Sequence, residues 1–332
     1  MLFLIPHLFP SPRMLEAAAQ DLHLPALQTL LVRGRRAACL DEGVEAALCE
    51  ALGVQRQQDW PIAPISVQQD GGAAEGAYWL RADPVHLRLM RDRVVLADSG
   101  DPALTQQEAN ALAASIAEHF GDAFRPLPLR PMRWYLRLDQ PPRLSTTPPS
   151  VATGLDIDPL LPRGDDAMRY RALLNEVQML LHGHPVNEAR EARGALPVNS
   201  LWLWGGGTMP ARPSERTTLY CRDEGSRAIG AYCGTTLREL PDRCDRRMLD
   251  SASVIVLDAL TPAGQCGEPY GWREALRTLE SDWFAPLRDV LRTSGAAAVR
   301  LADPISGRAL LLDRAAVWKI WRRPRKLAAL LR

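Results

Sequence analysis

Histidine is scarce and unevenly placed in this 332-residue chain: six in all, at 7, 23, 86, 119, 182 and 184. Nothing beyond His184 can offer an imidazole, which excludes a histidine-rich metal centre there. The six cysteines (39, 49, 221, 233, 244 and 266) form no CxxC and no other metal spacing. No structural zinc site is therefore expected, and the thiols are expected to be reduced, in the cytoplasm. Lysine is almost absent: of 40 basic residues, all but Lys319 and Lys326 are arginine, whose planar fork suits phosphate and carboxylate groups. Neither sign of charge dominates at a net +1, so there is no global pull toward nucleic acid or membrane. Long apolar runs are missing too. The opening MLFLIPHLF is too short to span a bilayer and has no basic leader, so it reads as a core strand. There is no internal repeat and no low-complexity tract.

What is present alternates between strand and helix signals. Leu2–Leu8, Ser200–Trp204 and Ala252–Leu257 are apolar runs of buried-strand length, and Arg133–Leu138 is a further strand. Thr105–Phe120 reads as a helix with Thr105 and Glu108 as a capping box, and Asp165–His182 as a helix with Leu173, Val177, Leu180 and Leu181 at helical spacing. Met14–Val32 is helical with a break at Pro25, and Trp272–Thr293 is an amphipathic helix kinked at Pro286. Ala297–Asp313 is a hairpin turning at Ile305–Gly307, and the proline-bearing Asp59–Asp70 reads as extended. The basic tail from Trp318 to Arg332 could touch an acidic partner, nucleic acid or anionic lipid; the bland alternative is a solvated end. No helix-turn-helix or winged pattern points to nucleic acid.

Two polar constellations stand out. The first is His184, Asn187, Arg190 and Asn199 ahead of Ser200–Trp204 and the glycines Gly205, Gly206 and Gly207. A strand running into three glycines allows a sharp turn and close approach to a ligand at a strand's carboxyl end. The polar groups could then bind a small anion through charge-assisted bonds and backbone N–H groups. The bland alternative is that His184–Asn187 caps the preceding helix and Asn199 closes a turn. The second constellation is Ala82–Arg93, where Asp83 and His86 could form an acid–base pair. The bland alternative makes Asp83 an N-cap with Pro84 at the first helical position.

The spacing H-P-V-N, R, G, P-x-N, W-x-W-G across His184–Gly207 is similar to a segment of the archaeal-type, cofactor-independent phosphoglycerate mutases of the alkaline phosphatase superfamily. That similarity runs back through Leu144, Asp156, Pro159, Asn175 and Leu180 and forward to Gly234. The whole sequence more closely resembles the RpfE-type bacterial regulatory proteins, often given the mutase name. This second match rests on Ala82–Leu87, Arg133–Leu136, Leu173–Asn187 and Ser200–Gly207. The mutase resemblance implies two divalent metals and a phosphoryl-carrying serine. It also implies an Asp–Glu–Ala–Gly–His block after a late strand, where this chain has Thr261-Pro-Ala-Gly-Gln265. At the end of the first strand, Pro6 and His7 stand where the resemblance implies aspartate and glycine. The first sixty residues hold only Ser11 and Thr29 as hydroxyl nucleophiles. The two-metal site is thus expected to be lost, with no metal or cofactor, while the 184–207 segment that contacts substrate in the mutases is kept.

Strands alternating with helices predict an α/β fold with a mostly parallel sheet, and the middle, 60–185, reads as a compact α+β unit. The mutase resemblance implies an alkaline-phosphatase-like core from residues 1–59 and 186–332 with that unit inserted. The leading functional expectation is a non-catalytic or metal-independent relative of the mutases that binds a small phosphate- or carboxylate-bearing ligand in a regulatory role. An active mutase or phosphatase with displaced ligands, and an interaction protein with no ligand site, are the alternatives.

Overall fold

The computed structural model describes residues 1–19, 21–74, 76–97, 102–214, 217–245, 248, 253–293, 298–317, 321–322 and 325–331. Along the chain the strands are Leu2–Leu4 (β1), Arg35–Ala38 (β2), Tyr78–Val85 (β3), Leu87–Leu89 (β4), Val94–Leu96 (β5), Leu127–Arg130 (β6), Arg133–Leu138 (β7), Ser200–Gly207 (β8), Thr218–Cys221 (β9), Thr236–Glu239 (β10), Ser253–Val256 (β11), Val299–Asp303 (β12) and Arg308–Leu312 (β13). The chain divides into two compact units, Met1–Gly53 with Pro213–Arg332, and Val54–Arg212. Among the described residues no helix is long and apolar enough to cross a membrane.

The first unit is a seven-stranded sheet ordered β10-β9-β11-β1-β12-β13-β2. β10, β9, β11, β1 and β12 run parallel, and β13 and β2 close one side antiparallel. β1 lies between β11 (Leu2 opposite Val254) and β12 (Leu2 opposite Arg300). That central place explains why the first apolar residues are a strand despite their short run: a parallel strand is covered on both faces. Phe3, Ile5, Trp272, Leu276 and Phe284 are among its buried core residues.

Helix Pro25–Arg33 starts at the expected proline, and no side chain of its N-cap residue, Leu24, bonds there. The carboxylate of Glu280, 254 residues away in sequence, accepts instead from Ala26 N (2.6 Å) and Leu27 N (2.9 Å). The kink at Pro286 takes the form of a π turn, Glu280–Phe284, between helices Pro269–Leu279 and Ala285–Thr293. Proline donates no N–H and crowds the carbonyl four residues back, and widening the preceding turn relieves both. In the tail, Leu327, Leu330 and Leu331 are buried in this core; Lys319, Arg323 and Arg332 lie outside the described residues.

The second unit is α+β. Its sheet is ordered β6-β7-β3-β8 and fully antiparallel, with β4–β5 as a separate ribbon. Helices Gln106–Phe120 and Ala167–Leu181 bury Leu112, Ile116, Leu174 and Val177 on one face. The capping box at Thr105 and Glu108 is formed.

Several expectations are corrected here. Asp59–Asp70 is not extended: Ile62–Gln69 is a helix whose residues 62–67 are all buried. Burial on every side erased the amphipathic period, and Pro64 sits in the first turn, where its missing N–H costs nothing. Asp83 is not a helix cap: Ala82–Val85 belongs to β3, and Pro84 lies past the last register pair with β7 (Arg81 opposite Tyr135), so its missing N–H breaks no ladder bond there. The unit boundaries expected at 60 and 185 fall at 54 and 212 instead, because β8 pairs with β3 and ties 186–212 to this sheet.

Candidate functional site

The three glycines are part of β8, not a turn beyond it. Trp79 faces Gly207 and Arg81 faces Trp204, so β8 carries one residue more than β3 over that interval. Gly205, at φ +67°, is the bulged residue. A Cβ on Gly206 would lie 2.3 Å from the Tyr78 hydroxyl oxygen, and one on Gly207 would lie 2.6 Å from Pro61 Cβ. Close packing of the 62–69 helix and of Tyr78 on this strand therefore explains the glycines without a ligand.

The polar residues ahead of β8 hold chain to chain. His184 caps helix Pro185–Ala192, its Nδ1 accepting from Val186 N at 3.2 Å. With Nδ1 an acceptor, the neutral ring carries its proton on Nε2, which donates to Ser115 Oγ at 3.0 Å. Burial pushes the His184 pKa below its usual value, so this tautomer is kept and the ring cannot take the Ser115 proton. Asn187 is buried; its Nδ2 donates to Leu181 O and Val198 O (2.9 and 2.8 Å) and its Oδ1 accepts from Val198 N (2.9 Å). Asn199 clasps Leu87 through both backbone groups, at 2.7 and 2.8 Å.

Arg190 is 1% exposed. It donates through Nε to Leu196 O (2.9 Å), and through Nη1 to Ala103 O (3.0 Å) and both Glu108 oxygens (3.1 Å). Burial alone would raise the Glu108 pKa, but the Thr105 N–H, Arg193, the Thr105 hydroxyl and Arg190 bring it down to about 2. Arg190 is thus neutralised inside the unit, and the expected anion pocket around it does not form.

Asp83 and His86 do not pair. Three residues apart in extended chain, they point to opposite faces. Asp83 accepts from Arg81 Nε and Nη2 (2.9 and 2.8 Å), Trp204 Nε1 (2.7 Å) and Trp134 N (3.2 Å), and the Arg81 guanidinium lies 5.1 and 5.0 Å from the Tyr135 and Trp204 rings. His86 Nδ1 lies 2.9 Å from Pro197 O. A carbonyl only accepts, so Nδ1 carries a proton. Of the expected site residues, His86, Asn187 and Asn199 border one groove of about 1050 Å³ in this unit; Asp83, His184, Arg190 and the glycines do not.

The first unit holds a second place of interest, at the carboxyl ends of its parallel strands, where ligands sit in open α/β sheets. His7 follows β1 at φ +61°, the single non-glycine residue with positive φ among those described. Its N–H donates to Asp303 Oδ1 (3.1 Å) and its carbonyl accepts from Trp272 Nε1 (2.9 Å). The ring lies against Gly264, where a Cβ would come 2.3 Å from His7 Cγ. His7 Nε2 is buried with no hydrogen-bond partner, and so is Thr261 Oγ1. Thr261 and Gly264 are one turn apart on helix Thr261–Cys266, on one face with Gln265. Burial lowers the His7 pKa, against the pull of Asp303, so the ring is neutral near pH 7.

In the sequence Pro6, His7, Thr261 and Gln265 stand out only as departures from a motif. The signal that marks them is that two apolar runs in one parallel sheet bring their carboxyl ends together.

These residues do not fit a two-metal clamp. Asp303 is 0% exposed and its oxygens are taken by His7 N, Phe9 N (2.9 Å), Ile305 N (3.0 Å) and Ser306 Oγ (2.9 Å). Asp223 caps helix Glu224–Tyr232 through Ser226 N at 2.7 Å. Asp258 has its pKa raised by burial and by Asp223. Among the described residues no three His, Cys, Asp or Glu side chains converge to hold an ion, and two adjacent divalent ions need more donors than that.

The family model described as 2,3-bisphosphoglycerate-independent phosphoglycerate mutase matches residues 73–187. A mutase of that name from Methanothrix thermoacetophila is 43% identical over 67 residues, which cover 20% of this chain and 17% of the relative. A probable mutase from Geobacter sulfurreducens is 31% identical over 157 residues, 46% of this chain and 39% of the relative. The chain thus spans less than half the length of these curated relatives. A solved cofactor-independent phosphoglycerate mutase from Thermoplasma acidophilum superposes with a TM-score of 0.47 at 18% identity, over 99% of this chain and 93% of that one.

Proposed function

We propose that this chain is a phosphoglycerate mutase-like protein, with an alkaline-phosphatase-like first unit, that binds a small phosphorylated or carboxylated molecule without metal and acts through that binding, as a regulatory protein of the RpfE type would. The observation that carries the reading is the pair of buried, unpartnered atoms, His7 Nε2 and Thr261 Oγ1, at the carboxyl ends of β1 and β11. Buried polar atoms are nearly always bonded, so two orphans at such an edge call for an outside partner. A neutral imidazole and a hydroxyl can each donate to an anion's oxygen. Arg222, one residue past β9, supplies positive charge: its field reaches Asp258. Its ion pair is with the highly exposed Asp242, at 2.7 Å. Exposed pairs are worth about 0–1 kcal/mol, so exchanging Asp242 for a ligand anion costs little.

A second reading, turnover as a mutase, is favoured by the names of the relatives. The donor set at the strand ends supports no metal-assisted step. Calorimetry with 3-phosphoglycerate and with inorganic phosphate, with and without Mn²⁺, separates the two when run beside a coupled mutase assay. Binding that needs no Mn²⁺ and is lost in His7→Ala is the expected result. Mn²⁺-dependent turnover near the ordinary enzyme rate of about 10 per second would establish the second reading, and absence of binding together with absence of turnover would leave neither.

A further inference from the structure

We infer that the groove of the second unit is a docking surface for a cationic amphipathic peptide segment of a partner protein. The groove holds about 1050 Å³, at the upper end of the roughly 300–1,000 Å³ of small-ligand pockets. Its apolar lining does not stop at a buried floor. Leu89 and Met179 line it while 79% and 70% exposed, and large apolar side chains left open beside a concavity mark interaction sites.

The charge of the lining decides what the occupant is. Asp158, Glu188 and Glu191 border the groove, and none of the three carboxylates has an ion pair or hydrogen bond among the described residues. Glu188 and Glu191 are three apart on helix Pro185–Ala192 and share one side of it. Among the described residues Arg171 is the one arginine or lysine of the lining, and it spends Nε on Pro162 O at 3.1 Å. Arg88 sits between Leu87 and Leu89 on β4, both of which line the groove, so the pleat turns it to the other face. Unpaired acids beside open apolar side chains complement leucine-type residues flanked by lysine or arginine. They repel phosphate esters, nucleic acid and anionic lipid. The chain's own basic tail is not the occupant, since Leu327, Leu330 and Leu331 are spent in the core of the first unit.

The test uses the full chain and three fluorescein-labelled twelve-residue peptides read by anisotropy: one of leucine and lysine at helical spacing, one with glutamate for lysine, one with glycine for leucine. The leucine–lysine peptide is expected to bind and the other two to bind at least tenfold more weakly. Glu188→Gln with Glu191→Gln should weaken it tenfold or more and flatten its salt dependence. Leu89→Ser should weaken it with the salt dependence kept, and Arg88→Ala should leave it unchanged. All four sites are exposed, and circular dichroism checks the fold. Failure of the leucine–lysine peptide to bind, equal binding of the lysine–glycine peptide, or wild-type affinity in the double glutamine variant would each overturn the inference. His7→Ala must leave peptide affinity intact, so this result stands or falls apart from the metal-free anion site.

Discussion

At the scale of single residues, the side chains that look most like catalysts are the best satisfied. Arg190 has its charge and donors matched inside the unit by Glu108, Ala103 and Leu196. Arg190→Ala is therefore expected to destabilise the protein by about 3–5 kcal/mol, the cost of breaking a buried ion pair, while 3-phosphoglycerate affinity stays unchanged. Urea unfolding and calorimetry on the same variant check both halves. Glu108 adds a pH signature. Its pKa in the folded protein, about 2, lies below the ordinary 4.5. Its stabilising contribution is therefore present in full above pH 4.5 and disappears as pH falls from 4.5 toward 2. Acid titration of Glu108→Gln should show less stability at pH 7 and a shallower loss across that window; a loss as steep as wild type's would mean other carboxylates dominate it. None of this was legible in the sequence. The sequence marks Glu108 as a capping residue, which it is, but its second role depends on a partner 82 residues away.

At the scale of elements, local chemistry was legible and pairing was not. The capping box, the break at Pro25 and strand Arg133–Leu138 follow from propensity and spacing alone. The glycines misled because Gly-Gly-Gly after an apolar run has the same appearance whether the chain turns or bulges. Which it does is set by Tyr78 and Pro61, far off in sequence. This gives a discriminating experiment. Gly206→Ala and Gly207→Ala should cost about 1–3 kcal/mol through overpacking and leave anion affinity alone. A ligand-cradling turn would instead lose affinity at near-constant stability. The strand-end site was hidden for a related reason. His7 and Thr261 are visible in the sequence, but whether their polar atoms find partners depends on how the 261–266 helix settles on the His7 ring at Gly264.

At the scale of the whole molecule, an inserted α+β unit within a parallel α/β unit follows from the change in strand character along the chain, yet its edges do not. That change in character puts them near 60 and 185. The structure places them at 54 and 212, because the second sheet needs β8 as the partner of β3 from Val85 to Trp79. Cutting at 185 also removes the segment that Asn187 holds to Leu181 and Val198, and Arg190's bonds to Ala103 and Glu108. Cutting at 60 removes Asp59, which accepts from Thr146 N (3.1 Å) and Thr146 Oγ1 (2.5 Å). A fragment of residues 54–212 is therefore expected to unfold cooperatively on heating. A fragment of residues 60–185 keeps helices 106–120 and 167–181 but has no β8 over the apolar edge of β3, and should show helical circular dichroism without a sharp transition. Two fragments melting alike would mean that β8 is dispensable, and that the boundary at 185 was the physical one.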